Sequence, residues 1–182
     1  MLFVTSSDVE DRRNRGFEEA SIYVPCENRK AEAAQITDLI TAAFLDVKLG
    51  QGVGLFEGQA LDDYETEAVR LEQRSKDEKE DWKRIQAKHL NACHSSLSFF
   101  DPLGMRFHLP AFICCELRGD YEMGLDISLS RIDDWKRKKY SLLSPNQKEA
   151  VAEFLRFLAE DVDSEYSRPE IERDLASFWR ST

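Results

Sequence analysis

The sequence predicts an α+β fold that is mostly helical and includes a small antiparallel sheet. Apolar residues recur at helical spacing over residues 36–47 and again after Ser144, which predicts amphipathic helices. Apolar residues alternate over 97–108 and over 125–130, which predicts a β-hairpin and a strand that joins it. We expect helices to cover one face of this sheet.

Size and composition favour one domain. The chain has 182 residues, of which 42% are hydrophobic and 33% charged, so it can bury a substantial core. Residues 1–30 mix charged and apolar side chains without a clear period, so they are expected to form an N-terminal arm. Residues 31–182 are expected to form a single α+β domain.

Helices are expected in the first half of this domain. The helix over 36–47 should end near Gly50, and a more polar helix should follow from Gly58. A third helix is predicted by side chains spaced three, four and four residues apart, namely Trp82, Ile85, His89 and Cys93. We expect these four side chains to face the core.

The turn of the predicted hairpin is Asp101-Pro102-Leu103-Gly104. Asp, Pro and Gly at its first, second and fourth positions suit a type I turn. Side chains alternate between the two faces of a strand, so the odd-numbered apolar residues of both arms would share one face, namely Leu97, Phe99, Met105 and Phe107. Pro110 would then begin a short helix that Gly119 ends.

Two more helices are expected towards the C-terminal end of the sequence. Ser144 and Gln147 form a capping box with Pro145 at the first helical position, so a helix should begin there. A last helix should open near Pro169 and present Trp179 to the core.

The acidic charge of the chain limits its partners. The formal net charge is -10 at pH 7, which disfavours nucleic acid and anionic membranes and favours a basic protein. Four acids in the predicted second helix form one candidate binding patch, namely Asp62, Asp63, Glu65 and Glu67, and the acids between Glu160 and Asp174 form another.

Targeting and cysteine patterns favour the cytoplasm. The apolar start over residues 1–4 is too short for a signal peptide or a spanning helix. The four cysteines, Cys26, Cys93, Cys114 and Cys115, lack the density and spacing of a secreted disulfide framework. We therefore expect a cytoplasmic protein with reduced thiols.

A metal site is conceivable but not expected. His89, Cys93 and His94 are ligand types that zinc accepts, and residues four apart on a helix can approach one ion. His89 and Cys93 fall on the apolar stripe of the predicted third helix, however, and no Cys-x-x-Cys pair adds ligands. We expect neither a metal nor another cofactor.

One polar set could carry chemistry. Asp101, Arg106 and His108 lie beside the apolar residues of the predicted hairpin, and Cys93 or Cys114 could supply a nucleophile. The simpler interpretation is that Asp101 caps the turn and the other two occupy the wetter face of a strand. Neither a Gly-x-Ser-x-Gly elbow nor a cysteine-protease signature accompanies them.

Two other motifs favour structural roles. Gly50-Gln-Gly-Val-Gly54 lacks the spacing of a phosphate-binding loop and follows a predicted helix rather than a strand. Trp135-Lys-Arg-Lys-Lys-Tyr140 combines cations with aromatic rings that could stack on bases. In so acidic a chain we interpret this basic run as a solvated turn.

Longer patterns in the chain occur together. They are Leu97-Ser-Phe-Phe-Asp101, Gly104-Met-Arg-Phe-His-Leu-Pro-Ala111, Leu142-Leu-Ser-Pro-Asn-Gln147 and Ala150-Val-Ala-Glu-Phe-Leu-Arg-Phe-Leu158, with the pair Asp62-Asp63 and Trp82 before them. Over residues 36–158 this combination resembles a bacterial family of small stand-alone proteins known only as a domain of unknown function. The resemblance implies no activity, and its small, acidic, cytoplasmic style is similar to that of immunity proteins of bacterial toxin systems.

We therefore expect a non-enzymatic domain that presents an acidic surface to a basic protein, as an immunity-like protein would. The alternative is a small enzyme or ligand-binding domain that uses Asp101, Arg106 and His108. A pocket joining these three residues with Asp62 or Asp63 would favour the alternative.

Overall fold

The structure is a computed structural model that describes residues 19–160 and 167–179, with side chains from residue 28 onward. A 3-10 turn (Trp82–Arg84) and a π-helical turn (Leu175–Trp179) accompany the α-helices. The α-helices of the described residues are α1 (Glu19–Ala43), α2 (Leu55–Asp62), α3 (Glu67–Lys76), α4 (Ala87–Ala92), α5 (Ser96–Phe99), α6 (Pro102–Leu117), α7 (Asp126–Leu129), α8 (Asp134–Lys139), α9 (Pro145–Ala159) and α10 (Arg168–Asp174).

The described residues contain no β-strand, so the prediction of an α+β fold with an antiparallel sheet was wrong. The predicted hairpin over 97–108 is α5 followed by the start of α6, and the predicted strand over 125–130 is the short helix α7. Asp101 is the N-cap of α6 and Pro102 is its first residue. Asp followed by Pro suits a helix start as well as a type I turn, so this local signal had two meanings.

Helix α6 runs through the core. Every residue from Gly104 to Leu117 is buried except Arg106. A helix that is apolar on all sides has no distinct stripe, which is why its periodicity was mistaken for that of a strand. Pro110 lies inside α6, not at the start of a helix as predicted, and it has no N–H to donate to the preceding turn. Gly119 adopts φ +76° just after α6, in agreement with the predicted end.

The helices of the first half differ in detail from the prediction. Within the described residues helix α1 runs from Glu19 to Ala43, and a turn follows it before Gly50. The predicted second helix is two helices, α2 and α3, joined by residues 63–66. The predicted third helix is the 3-10 turn and α4; of its four expected core residues, Trp82 and Cys93 are buried, whereas Ile85 and His89 are half-buried.

The remaining helices close the core around α6. Helix α1 packs on α6 and α9, and α2 packs on α3 and α5. The predicted capping box of α9 is confirmed, because Ser144 Oγ accepts from Gln147 N at 3.2 Å and Gln147 Oε1 accepts from Ser144 N at 3.0 Å. The predicted last helix is also present as α10. Trp179 is fully buried beside Tyr140, and its Nε1 donates to Leu129 O at 3.0 Å.

Among the described helices, none combines the length and the apolar character that a membrane crossing requires.

Candidate functional site

The predicted acidic patch lies where α2 turns into α3. We call residues 62–67 the acidic tip. Asp63, Glu65 and Glu67 are exposed, and Asp62 is half-buried. Two local hydrogen bonds order the turn, since Gln59 Nε2 donates to Asp63 Oδ1 at 3.0 Å and Val69 N donates to Thr66 Oγ1 at 3.4 Å. The four acids therefore share one ordered corner of the molecule.

Tyr64, at the centre of the acidic tip, is unusual in backbone and side chain. Its φ is +55°, in the left-handed region that an aromatic residue rarely adopts, and its side chain is 94% exposed. Glu65 N donates to Ala60 O at 2.9 Å and Tyr64 N donates to Leu61 O at 3.3 Å. These two bonds form a Schellman motif, in which glycine usually occupies the position of Tyr64.

Helix α3 extends the acidic tip along the surface. None of its residues is buried, and Thr66 caps its first turn. Leu71 is 59% exposed and lies one turn after Glu67 on the same helical face. The corner therefore combines negative charge with two exposed side chains of large apolar area, Tyr64 and Leu71.

Asp101 has a structural role at the start of α6. Its Oδ1 accepts from Gly104 N at 2.7 Å and from Val53 N at 3.0 Å. The carboxylate thus caps α6 and holds the glycine-containing loop over residues 50–54 against it. The loop approaches closely, because a Cβ on Gly104 would lie 2.3 Å from Val53 O.

His108 and Arg106 point away from each other on α6. His108 is completely buried, its ring is stacked on that of Phe100 with centroids 4.4 Å apart, and its Nδ1 lies 2.8 Å from Gly104 O. Burial lowers the pKa of His108 to about 4. Arg106 is two residues earlier, hence on nearly the opposite side of the helix, and is half-buried. In the described part of the chain, no hydrogen bond or ion pair joins any two of Asp101, Arg106 and His108.

The cysteines and the candidate metal ligands do not form a reactive centre in the described residues. Cys93, Cys114 and Cys115 are buried free thiols. Burial raises the pKa of the Cys93 and Cys114 thiols to about 11, which disfavours the nucleophilic thiolate. His94 is exposed while Cys93 is buried, and the described residues include no group of three or more His, Cys, Asp or Glu placed to hold a metal ion.

Two of the four cations in the basic run of α8, Lys136 and Lys139, bind backbone carbonyls, whereas Arg137 and Lys138 are exposed. Lys136 Nζ donates to Ile127 O and Ser130 O at 2.6 and 2.5 Å. Lys139 is buried, and its Nζ donates to Leu97 O at 2.7 Å and to Ser98 O at 2.9 Å while lying over the Trp135 ring. These cations therefore bind backbone carbonyls, and the predicted solvated turn was only partly correct.

Comparison with known proteins places the chain in a family. The model of a family of unknown function (DUF6714) matches residues 32–182. The chain belongs to this family. The match extends past the region 36–158 of the recognised patterns and includes α10, which sequence inspection had left outside. A search of curated proteins found no match to this DUF6714 chain, and a search of solved structures also found none.

Sequence reasoning missed two residues with special environments. Tyr64 was not singled out, although an aromatic residue between Asp63 and Glu65, in a break between helices, was a usable signal. Asp77 accepts from Phe56 N at 2.7 Å and from Glu57 N at 3.3 Å, so it caps α2 from outside that helix. No local pattern could have indicated this contact, because its partners are about twenty positions away.

Proposed function

We propose that this chain is a non-enzymatic protein-binding domain that presents the acidic tip to a basic partner. The observation that carries the proposal is Tyr64, held at positive φ with its ring almost wholly in solvent. Left-handed backbone costs a non-glycine residue about 1–2 kcal/mol, and the exposed ring returns little packing energy. Such strain is typical of positions kept for function.

The chemistry of the tip suits a protein surface. Tyrosine is enriched among residues that dominate binding energy, because it buries a large area at low entropic cost. The surrounding acids, on a chain of net charge -10, raise the encounter rate with a basic partner. Toxin neutralisation would be one form of this function. The described cysteines are free thiols, which supports a reducing compartment, and we propose the cytoplasm.

Site-specific photo-crosslinking in the native host would identify the partner. A benzophenone amino acid is placed at position 64. The matched control places it at Leu142, which is 42% exposed and lies in the loop before α9. We expect one basic protein to be captured from position 64 and not from position 142. Equal capture at both positions would contradict the proposal.

Substitution of Tyr64 separates binding from stability. Tyr64→Gly should weaken affinity for the captured partner by about tenfold or more, as expected of an anchor side chain. The same change should leave the free energy of unfolding unchanged or raise it by up to about 1 kcal/mol, because it relieves the left-handed strain. Calorimetric titration and chemical denaturation measure the two effects. Undiminished affinity would refute the role of Tyr64.

Charge reversal tests the acids. Asp62→Lys with Asp63→Lys should lower the association rate and its dependence on salt. The pair removes the exposed hydrogen bond from Gln59 to Asp63, but it places two cations at the C-terminal end of α2, where they are favourable, so the protein should still fold. Asp38→Lys with Asp46→Lys is the control, since both residues are exposed elsewhere and the change in net charge is identical. Stopped-flow association at several salt concentrations should separate the pairs. Equal effects of both pairs would show that net charge, not the acidic tip, steers binding.

A further inference from the structure

A cavity of about 510 Å³ opens at the opposite end of the α2–α3 pair from the acidic tip. It is bounded by the first residues of α2, by the segment 75–86 and by α4, and His108 reaches it from α6. This volume is within the range of small-molecule sites. Of the residues that the sequence suggested for chemistry, His89 and His108 line it, whereas Asp101 and Arg106 do not.

His108 lines the inner wall of this cavity and carries an unpaired acceptor. A carbonyl only accepts hydrogen bonds, so the contact with Gly104 O assigns the ring proton to Nδ1 and leaves the lone pair on Nε2. Nε2 is buried and has no hydrogen-bond partner among the described residues. A buried acceptor without a donor is unfavourable, so a bound group that donates to Nε2 would stabilise the site.

Asp77 is a second buried acceptor in the wall. The residue is 7% exposed, and its carboxylate is held by the N–H groups of Phe56 and Glu57. A carboxylate has about four lone-pair positions, so two backbone bonds leave capacity for a ligand. Both buried polar groups that border the cavity can therefore accept hydrogen bonds from a ligand.

The other walls favour an organic ligand. Leu55 and Ile85 are aliphatic, and the Phe56 and His89 rings meet edge to face with centroids 5.2 Å apart. The rim carries charges of both signs. Two of them pair with residues outside the cavity, since Lys76 donates to Glu72 and Glu80 accepts from Lys48. The rim is thus electrostatically mixed, and the two buried acceptors set the preference.

We propose that this cavity binds a small organic cation of the guanidinium or primary ammonium type, whose N–H groups donate to His108 Nε2 and Asp77 while its aliphatic chain lies between Leu55, Phe56 and Ile85. The same chemistry is offered by a free amine and by an arginine side chain of a polypeptide. The site is independent of the acidic tip.

Titration with defined probes tests this assignment. The probes are agmatine, for the free cation, and a blocked Gly-Arg-Gly peptide, for the side chain, with glutarate as the anionic control. We expect saturable binding of one or both cations by calorimetry, together with a shift of the ¹⁵N resonance of His108 Nε2 and not of Nδ1. The probe that binds more tightly identifies the source of the cation.

Variants localise the binding. His108→Leu and Asp77→Asn should each weaken the cation at least about tenfold, as loss of a charged or buried hydrogen bond does, whereas His94→Gln, an exposed histidine, and Tyr64→Gly should have no effect. If His108→Leu does not fold, Asp77→Asn and the ¹⁵N shift decide. The proposal is overturned if neither cation binds at about 10 mM, beyond the millimolar range of weak specific binding, if glutarate binds equally, or if Asp77→Asn leaves affinity unchanged.

Discussion

Two buried residues of α6 contribute to the response of this protein to pH. His108 and Glu116 are both buried in the same apolar helix. Burial lowers the pKa of His108 to about 4 and raises that of Glu116 to about 8, so both side chains are neutral at pH 7. Helix α6 thus carries two titratable side chains in the core, both in their neutral form.

Glu116 should make the protein less stable as pH rises. Its folded pKa lies above the unfolded value of 4.5, so its contribution is full below pH 4.5 and declines up to about pH 8. His108 acts in the opposite sense and only between about pH 4 and 6.5. Between pH 6.5 and 8 Glu116 should therefore lower the free energy of unfolding by up to about 2 kcal/mol.

Denaturation of Glu116→Gln across this pH range checks that expectation. The variant should lose most of the decline, whereas Glu122→Gln, at an exposed position, should retain it. A decline of equal size in Glu116→Gln would assign it to another group.

At the scale of elements, several helix ends are satisfied by side chains from distant segments. Asp77 caps α2, whose N-cap residue Gly54 has no side chain. Asp101 caps its own helix and also binds Val53 N. Lys139 of α8 binds the carbonyls of Leu97 and Ser98 in α5. These polar contacts tie short helices together where apolar burial alone would be limited.

Removal of the Lys139 ammonium should be costly. Lys139→Met keeps most of the buried aliphatic volume but leaves two carbonyls without their donor, so we expect a loss of about 2–3 kcal/mol in the free energy of unfolding. Lys138→Met, on the exposed side of the same helix, should change it by less than about 0.5 kcal/mol. Similar small effects of both substitutions in urea denaturation would argue against a stabilising role for Lys139.

At the scale of the whole molecule, one apolar cluster extends from Ala33 in α1 to Trp179 at the end of the described chain. Phe107, fully buried in α6, lies within it. The described helices therefore should unfold together, because none of them has a separate core.

Phe107→Ala tests this cooperativity. We expect a loss of about 3–5 kcal/mol, the usual range for a large aromatic side chain in a packed interior. Tryptophan fluorescence and far-UV circular dichroism should give coincident unfolding transitions in the parent and in the variant. Separate transitions would indicate that part of the cluster is an independent unit.

The sequence predicted elements with local start signals and missed those defined by distant contacts. Ser144 and Gln147 satisfy each other across one helical turn, so the start of α9 was readable from four residues. The course of α6 could not be predicted in this way. Helix α1 and other neighbours bury it on all sides, so its apolar residues show no helical periodicity. The acids of the tip were found from composition, but the exposure of Tyr64 depends on a Schellman turn whose φ no sequence rule demanded.

The close approach of loop 50–54 to its neighbours restricts how this family can vary. A Cβ on Gly52 would lie 2.5 Å from Gly104 N, and one on Gly54 would lie 1.9 Å from Asp77 Oδ2. At Gly52 the collision is with backbone, and at Gly54 a Cβ would displace the Asp77 carboxylate from its bonds to α2, so a saturation library should reject alanine as well as leucine. Gly50 differs, because its surroundings are open and only its φ of +57° matters, so asparagine should survive there. Glycine would then be required at Gly52 and Gly54 whatever the size of the replacing side chain, because the spacing of the backbone, and not the volume of a pocket, sets the limit.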